Sequence, residues 1–233
     1  MAYGQRWHDR NVQLRIGSMV LLLVLLALNV FVVPFTLAPD SAFARIVRDV
    51  LLSMILLSGV ATVSDHHRLF VAIALVAGVA ILVRWTGWLY PPGKTPGLLD
   101  ETALFSLGIL CVVIGIKVFS PGTVTFDRIV GAIVLYVLIG VVWAEAYQLI
   151  SIRVPGAYAG IAHDSSSIDR SSWIYFSFVT LTTVGYGDIT PVAHAARSLA
   201  ILGALIGQLY PAIVLARLVS LHVAGSGSGS NQA

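Results

Sequence analysis

The chain has 233 residues, of which 58% are hydrophobic and only 11% charged, with a mean hydropathy of +0.90. Soluble domains carry about 25% charged residues, so a soluble globular enzyme is excluded, and there is room for several membrane crossings with little outside them. The net charge of +3 would suit nucleic acid only if its cations clustered; Lys and Arg occur singly, and the lone Cys111 offers no intrachain disulfide.

A basic start, 1–15 (Arg6, His8, Asp9, Arg10, Arg15), precedes a first apolar run at 16–38. That run is too long for a signal-peptide core, and Pro34 is expected to kink its far end. A second span at 46–63 carries Ser53, Ser58 and Gly59, which suit close helix contact. Asp65-His66-His67-Arg68 turns the chain into a third span at 69–89, where Trp85, Trp88 and Tyr90 fit an interfacial belt. Beyond a Pro/Gly loop lies a fourth span at 102–119. Arg48, Asp49 and Arg84 near span ends are expected to snorkel or to pair. His66, His67 and His163 read as solvated loop residues rather than pH sensors.

A fifth span at 126–150 contains Glu145, which needs a partner or water at that depth. After a polar loop at 151–171, the aromatic segment 172–181 is too short to cross roughly 30 Å of hydrocarbon, so it must dip in and return. A last span at 193–222 leads into a flexible Gly/Ser tail, 224–233. The expected fold is an all-α integral membrane protein with six transmembrane helices and one re-entrant helix. A four-helix part, 16–119, precedes a second domain, 126–223. Six crossings put both termini on one side, but the basic residues divide seven to seven between the two faces, so charge does not say which.

The densest information lies in Thr182-Thr183-Val184-Gly185-Tyr186-Gly187-Asp188. Successive carbonyls of an ordinary strand alternate sides. Lining one wall with all of them requires backbone dihedrals that alternate in hand, and Gly185 and Gly187 take the left-handed values without a Cβ clash. Thr183 can add a hydroxyl below, while Val184 and Tyr186 point away into packing. Rings of such carbonyls replace the water shell of a potassium ion, so the run reads as an ion-selective filter.

From Phe126 to Val223 the sequence resembles the pore module of tetrameric potassium channels, most closely bacterial members, with Tyr175 to Asp188 as the specific part. The resemblance implies a homotetramer and K⁺ sites at Thr183, Val184, Gly185 and Tyr186, with Gly187 and Asp188 at the outer mouth. It also implies Thr182 at the foot of the filter, cytoplasmic termini and a multi-pass location in the cell membrane, the inner membrane of a bacterium. No cofactor beyond the permeant ion is expected, and lipids are the other partner. Gly207, twenty residues beyond Gly187, matches the family's hinge glycine, and Pro211 one turn on removes a helix hydrogen bond. Glu145 resembles a glutamate that braces the filter's outer loop, here near Pro191; the alternative is that it faces water.

Two departures stand out. Tyr175-Phe176 replaces a Trp-Trp pair, leaving Tyr175 to offer its hydroxyl to Asp188, and Val179 replaces a glutamate of some relatives, so altered inactivation is expected. The fourth span holds only Lys117 as a basic residue, so voltage gating through it is expected to be absent. Its link to the fifth span is short, which would pack the first four spans against their own subunit's pore helices. A weakly selective cation channel and an ion-coupled potassium transporter subunit remain the competing functions.

Overall fold

The computed structural model describes residues 18–37, 41–62, 67–87, 96–121, 125–161 and 170–227. The basic N-terminal start, the 63–66 turn, Trp88, Tyr90, the Pro/Gly loop to residue 95, His163 with its loop and the last six residues lie outside them, as does the side chain of His67.

Among the described residues, seven helices follow one another where apolar runs predict them. They are α1 (Ser18–Thr36), α2 (Ala42–Thr62), α3 (His67–Thr86), α4 (Pro96–Phe119), α5 (Phe126–Arg153), α6 (Arg170–Leu181) and α7 (His194–Gly227). Four of them, α1, α4, α5 and α7, are long and apolar enough to cross a membrane. At 21 and 20 residues, α2 and α3 are also about 30 Å long. Arg45, Arg48 and Asp49 occupy the first turns of α2, and α3 carries a described apolar stretch over Ile73–Thr86. The helix α7 runs through Gly227, into the segment expected to be a flexible tail.

Pro34 acts by a route the sequence did not suggest. The helix widens to π geometry over Leu28–Val32 immediately before it. Proline lacks an N–H, and its ring presses on the carbonyl four residues back; a local π turn takes up that misfit.

The core runs along α5, whose Val134, Leu138, Val141 and Tyr147 are completely buried. Asp127 in its first turn and Arg153 in its last complement the helix dipole, and Arg153 pairs with Glu101 of α4. Small residues set the helix spacing: a Cβ on Gly59 would overlap the Leu110 side chain, and one on Gly131 would lie 3.2 Å from Val118.

Polar groups inside the bundle are matched across helices. Arg84 of α3 donates its Nε–H to Asp49 of α2 at 2.5 Å, and both side chains are buried, so these charges pair rather than snorkel. Lys117 donates from Nζ to the Thr62 carbonyl at 2.6 Å and caps the end of α2. The one basic residue of the fourth span therefore performs a structural task. Asp49→Ala strands the Arg84 guanidinium, and unfolding in detergent is expected to show a loss of about 3–5 kcal/mol. Asp49→Ala with Arg84→Leu, which removes both charges, should recover most of it.

Candidate functional site

Everything in the 182–188 run depends on where α6 is held. The Ser177 hydroxyl donates to the Gly140 carbonyl at 2.6 Å, and the Phe178 ring fills the space over Gly140, where a Cβ would lie 2.5 Å from it. Phe31 of α1 also packs on Phe178, with ring centroids 6.3 Å apart. The first residue of α6, Arg170, would oppose its own helix dipole. Glu145 of α5, only 2% exposed, pairs with it and supplies the anion that this end of the helix requires. Neither expected role of Glu145 is seen: its partner is Arg170, not the backbone near Pro191, and it is not in water.

At its C-terminal end α6 folds the chain back onto itself. Thr182 N–H donates to Phe178 O, Thr183 N–H to Thr180 O, and the N–H groups of Val184 and Gly185 both donate to Val179 O, at 2.9–3.3 Å. Among the described residues, no backbone N–H donates to a carbonyl of Thr183–Gly187. Every second residue of the run has positive φ: Thr183 at 60°, Gly185 at 58° and Gly187 at 80°. The two glycines are those the sequence singles out. Thr183 is not, and a β-branched residue there is strained by about 1–3 kcal/mol. The result is an exposed run whose carbonyls accept no backbone N–H among the described residues. Thr182 donates its hydroxyl to Phe178 O at 2.7 Å, so its proton is used inside the helix while the residue stays exposed.

Beyond the run the chain is pinned again. Strands β1 (Tyr158–Ala159) and β2 (Thr190–Pro191) pair antiparallel, Tyr158 opposite Pro191. Val192 N–H adds a bond to Ala157 O at 2.8 Å. Gly160, at φ 86°, lies so close to the Asp188 carbonyl that a Cβ would fall on its oxygen.

Tyr175 donates its hydroxyl to Asp188 Oδ2 at 2.7 Å, and Ile189 N–H donates to Oδ1 at 3.0 Å. The Tyr175 bond holds the Asp188 carboxyl below its ordinary range; partial desolvation works against it, and the Ile189 N–H adds to it. The same bond pushes the Tyr175 hydroxyl up to about 12. The Tyr186 ring, 71% exposed, lies parallel to that of Tyr175 with centroids 6.4 Å apart.

The helix α7 approaches the foot of the run closely. Gly207 is buried, and a Cβ on it would fall on the Leu181 carbonyl oxygen, so glycine is required here for contact. Pro211 stands inside an unbroken helix one turn later, where its missing N–H leaves the Gly207 carbonyl without its helical donor. Gln208, which the sequence reading passed over, donates from Nε2 to Thr183 Oγ1 at 3.0 Å. An amide in a hydropathic helix is itself a signal. Lower down, Tyr210 donates to Ala132 O at 2.7 Å and Arg217 to Ser120 O at 2.6 Å, tying α7 to α5 and to the α4–α5 turn.

Comparison with known proteins bears on the same region. Residues 131–223 match the family model described as "Ion channel". This part of the chain is therefore similar to an ion channel domain. Over 125 residues the chain is 28% identical to Protein LctB of Bacillus caldotenax, covering 52% of this chain and 92% of that protein. It is 48% identical over 46 residues to Protein LctB of Geobacillus stearothermophilus, covering 20% of this chain and 34% of that one. A third relative is two pore potassium channel c of Oryza sativa subsp. japonica, 39% identical over 67 residues, which make up 29% of this chain and 14% of the relative. A match to an ion channel domain over apolar, membrane-length helices points to transport across a membrane rather than to catalysis.

Two outcomes are expected from these contacts. Gly207→Ala drives a methyl group into the Leu181 carbonyl and should lower stability in detergent by about 1–3 kcal/mol or more, as overpacking does, read from thermal unfolding. For Asp188 the lowered carboxyl range means that the Tyr175 bond stabilises the folded chain above about pH 4, the ordinary Asp range, and is lost as pH falls through the lowered value. Tyr175→Phe should therefore raise the pH at which the Asp188 carboxyl protonates, as followed by a ¹³C carboxyl titration.

Proposed function

We propose that four copies of this chain surround one axis and conduct K⁺ passively through the 182–188 run. The observation that carries the reading is the alternation of positive φ at Thr183, Gly185 and Gly187, beside carbonyls that accept no backbone N–H among the described residues. Such a wall suits a dehydrated cation, and the size and field of K⁺ fit rings of carbonyls. One chain supplies one wall, so closing a ring requires symmetric copies.

The surface of α7 supports assembly. Only 11% of its membrane-length stretch is buried within the chain, against 61% for α5. Ile201, Leu202, Leu205, Leu209 and Ile213 are all exposed along it. In the proposed pore, α6 directs the negative end of its dipole toward the conduction path below the filter. The proposal includes six crossings per chain with cytoplasmic termini in a cell membrane, α2 and α3 spanning as an ion-paired hairpin. Gly207 and Pro211 serve as the bend at which inner helices splay, and gating is independent of voltage because α4 lacks a periodic row of cations. Lys117, held on the Thr62 carbonyl, is poorly placed to move as a gating charge.

Purified protein in a planar bilayer is expected to pass a current whose reversal potential follows the potassium gradient and is indifferent to a sodium gradient. Gly185→Ala, which cannot hold the positive φ of that position without strain, should abolish that current while assembly persists. A reversal potential set equally by sodium and potassium, or dependent on a second driving ion, would overturn the reading.

A further inference from the structure

We propose that Gln208 sets the affinity of the lowest cation site in the filter by holding the Thr183 hydroxyl in place. The inference rests on the reading of the 182–188 run as a K⁺ filter and adds to it a residue on a different element.

At φ 60° the backbone of Thr183 lies in a strained region, and its β-branch narrows the χ1 choice without reducing it to the one setting that aims the hydroxyl. A cation ligand that is free to rotate must be ordered when the ion arrives, and that ordering weakens binding. Gln208 removes the freedom. Its Nε2–H reaches Thr183 Oγ1 at 3.0 Å, taking one lone pair and leaving the other for an ion. The amide is itself well placed to do this, because the preceding Gly207 lets α7 press on the Leu181 carbonyl at the end of α6. Displacement of α7 at that contact would carry Gln208 away from Thr183, so the position of the inner helix and the affinity of the lowest site are linked through one side chain.

Donor chemistry makes the proposal distinguishable from simple packing. Gln208→Leu removes the N–H at nearly constant volume and frees the hydroxyl. Gln208→Glu replaces the donor by an anionic acceptor, to which the Thr183 hydroxyl donates; that leaves both oxygen lone pairs to the ion and adds negative charge nearby. The two changes should act in opposite directions on a cation at that site, although both abolish the original bond. Ba²⁺ is a suitable probe, being close to K⁺ in size and twice as charged.

The experiment measures block of potassium current by Ba²⁺ added to the side facing Gln208, with full-length protein in planar bilayers and tetramer content checked by cross-linking. Gln208→Leu is expected to weaken block roughly fivefold, the worth of about one hydrogen bond, and Gln208→Glu to tighten it. Gln208→Met substitutes for the leucine variant should that fail to assemble. Shifts of the same sign in both variants, or shifts under twofold, overturn the role of Gln208 while leaving the channel reading intact. Absence of potassium-selective current from the unmodified protein would instead remove the reading on which the inference stands.

Discussion

Four successive amide groups, from Thr182 to Gly185, turn back into the last turn of α6, and the geometry of the 182–188 run depends on that reversal. A helix end leaves carbonyls in need of donors, and these four amides supply them. Because those bonds are short-range, the run can be no better placed than the helix beneath it. This explains why α6 is gripped on several sides, by Ser177 on Gly140, by Phe178 between α1 and α5, and by Arg170 on Glu145. Past the run, two paired strands and Gly160 hold the chain's return, and α7 closes from below.

Much of this was legible in the residue order. Apolar runs placed the helices within a few residues of where they lie, and glycines two apart anticipated the left-handed positions at 185 and 187. The bond between Tyr175 and Asp188 was anticipated through the family resemblance, since a hydroxyl and a carboxylate are complementary. The partner of Glu145 escaped because Arg170 stands far along the chain at the edge of a polar loop, where nothing local marks it. Strands of two residues have no periodicity to detect. The π segment before Pro34 was missed because proline signals misfit without saying how a helix absorbs it. Gly207 illustrates a different limit: its absence of a side chain reads equally as freedom or as contact, and only coordinates reveal Leu181 against it.

Charges of α2 and α3 point at each other, Asp49 to Arg84. A paired ion is far less costly in an apolar setting than the same two residues counted singly. Lys117 and Arg217 likewise end on carbonyls at helix termini and turns. These cations of the described bundle thus serve as caps and counter-ions, a use unlike the evenly spaced row that a field-driven helix requires.

Thr183 narrows what this protein can become. Glycine would relax the positive φ found there, yet it would delete an oxygen; valine would keep the shape of the side chain and delete the same atom. Asparagine tolerates such backbone, but it carries its oxygen one atom farther from the chain. Of the other natural amino acids only serine has a hydroxyl at that branch point, and it would forfeit the methyl group that limits rotation. Under the role proposed for its oxygen, sequence space at this position is almost closed, set jointly by a dihedral angle that disfavours the residue and an atom that hardly any other residue supplies.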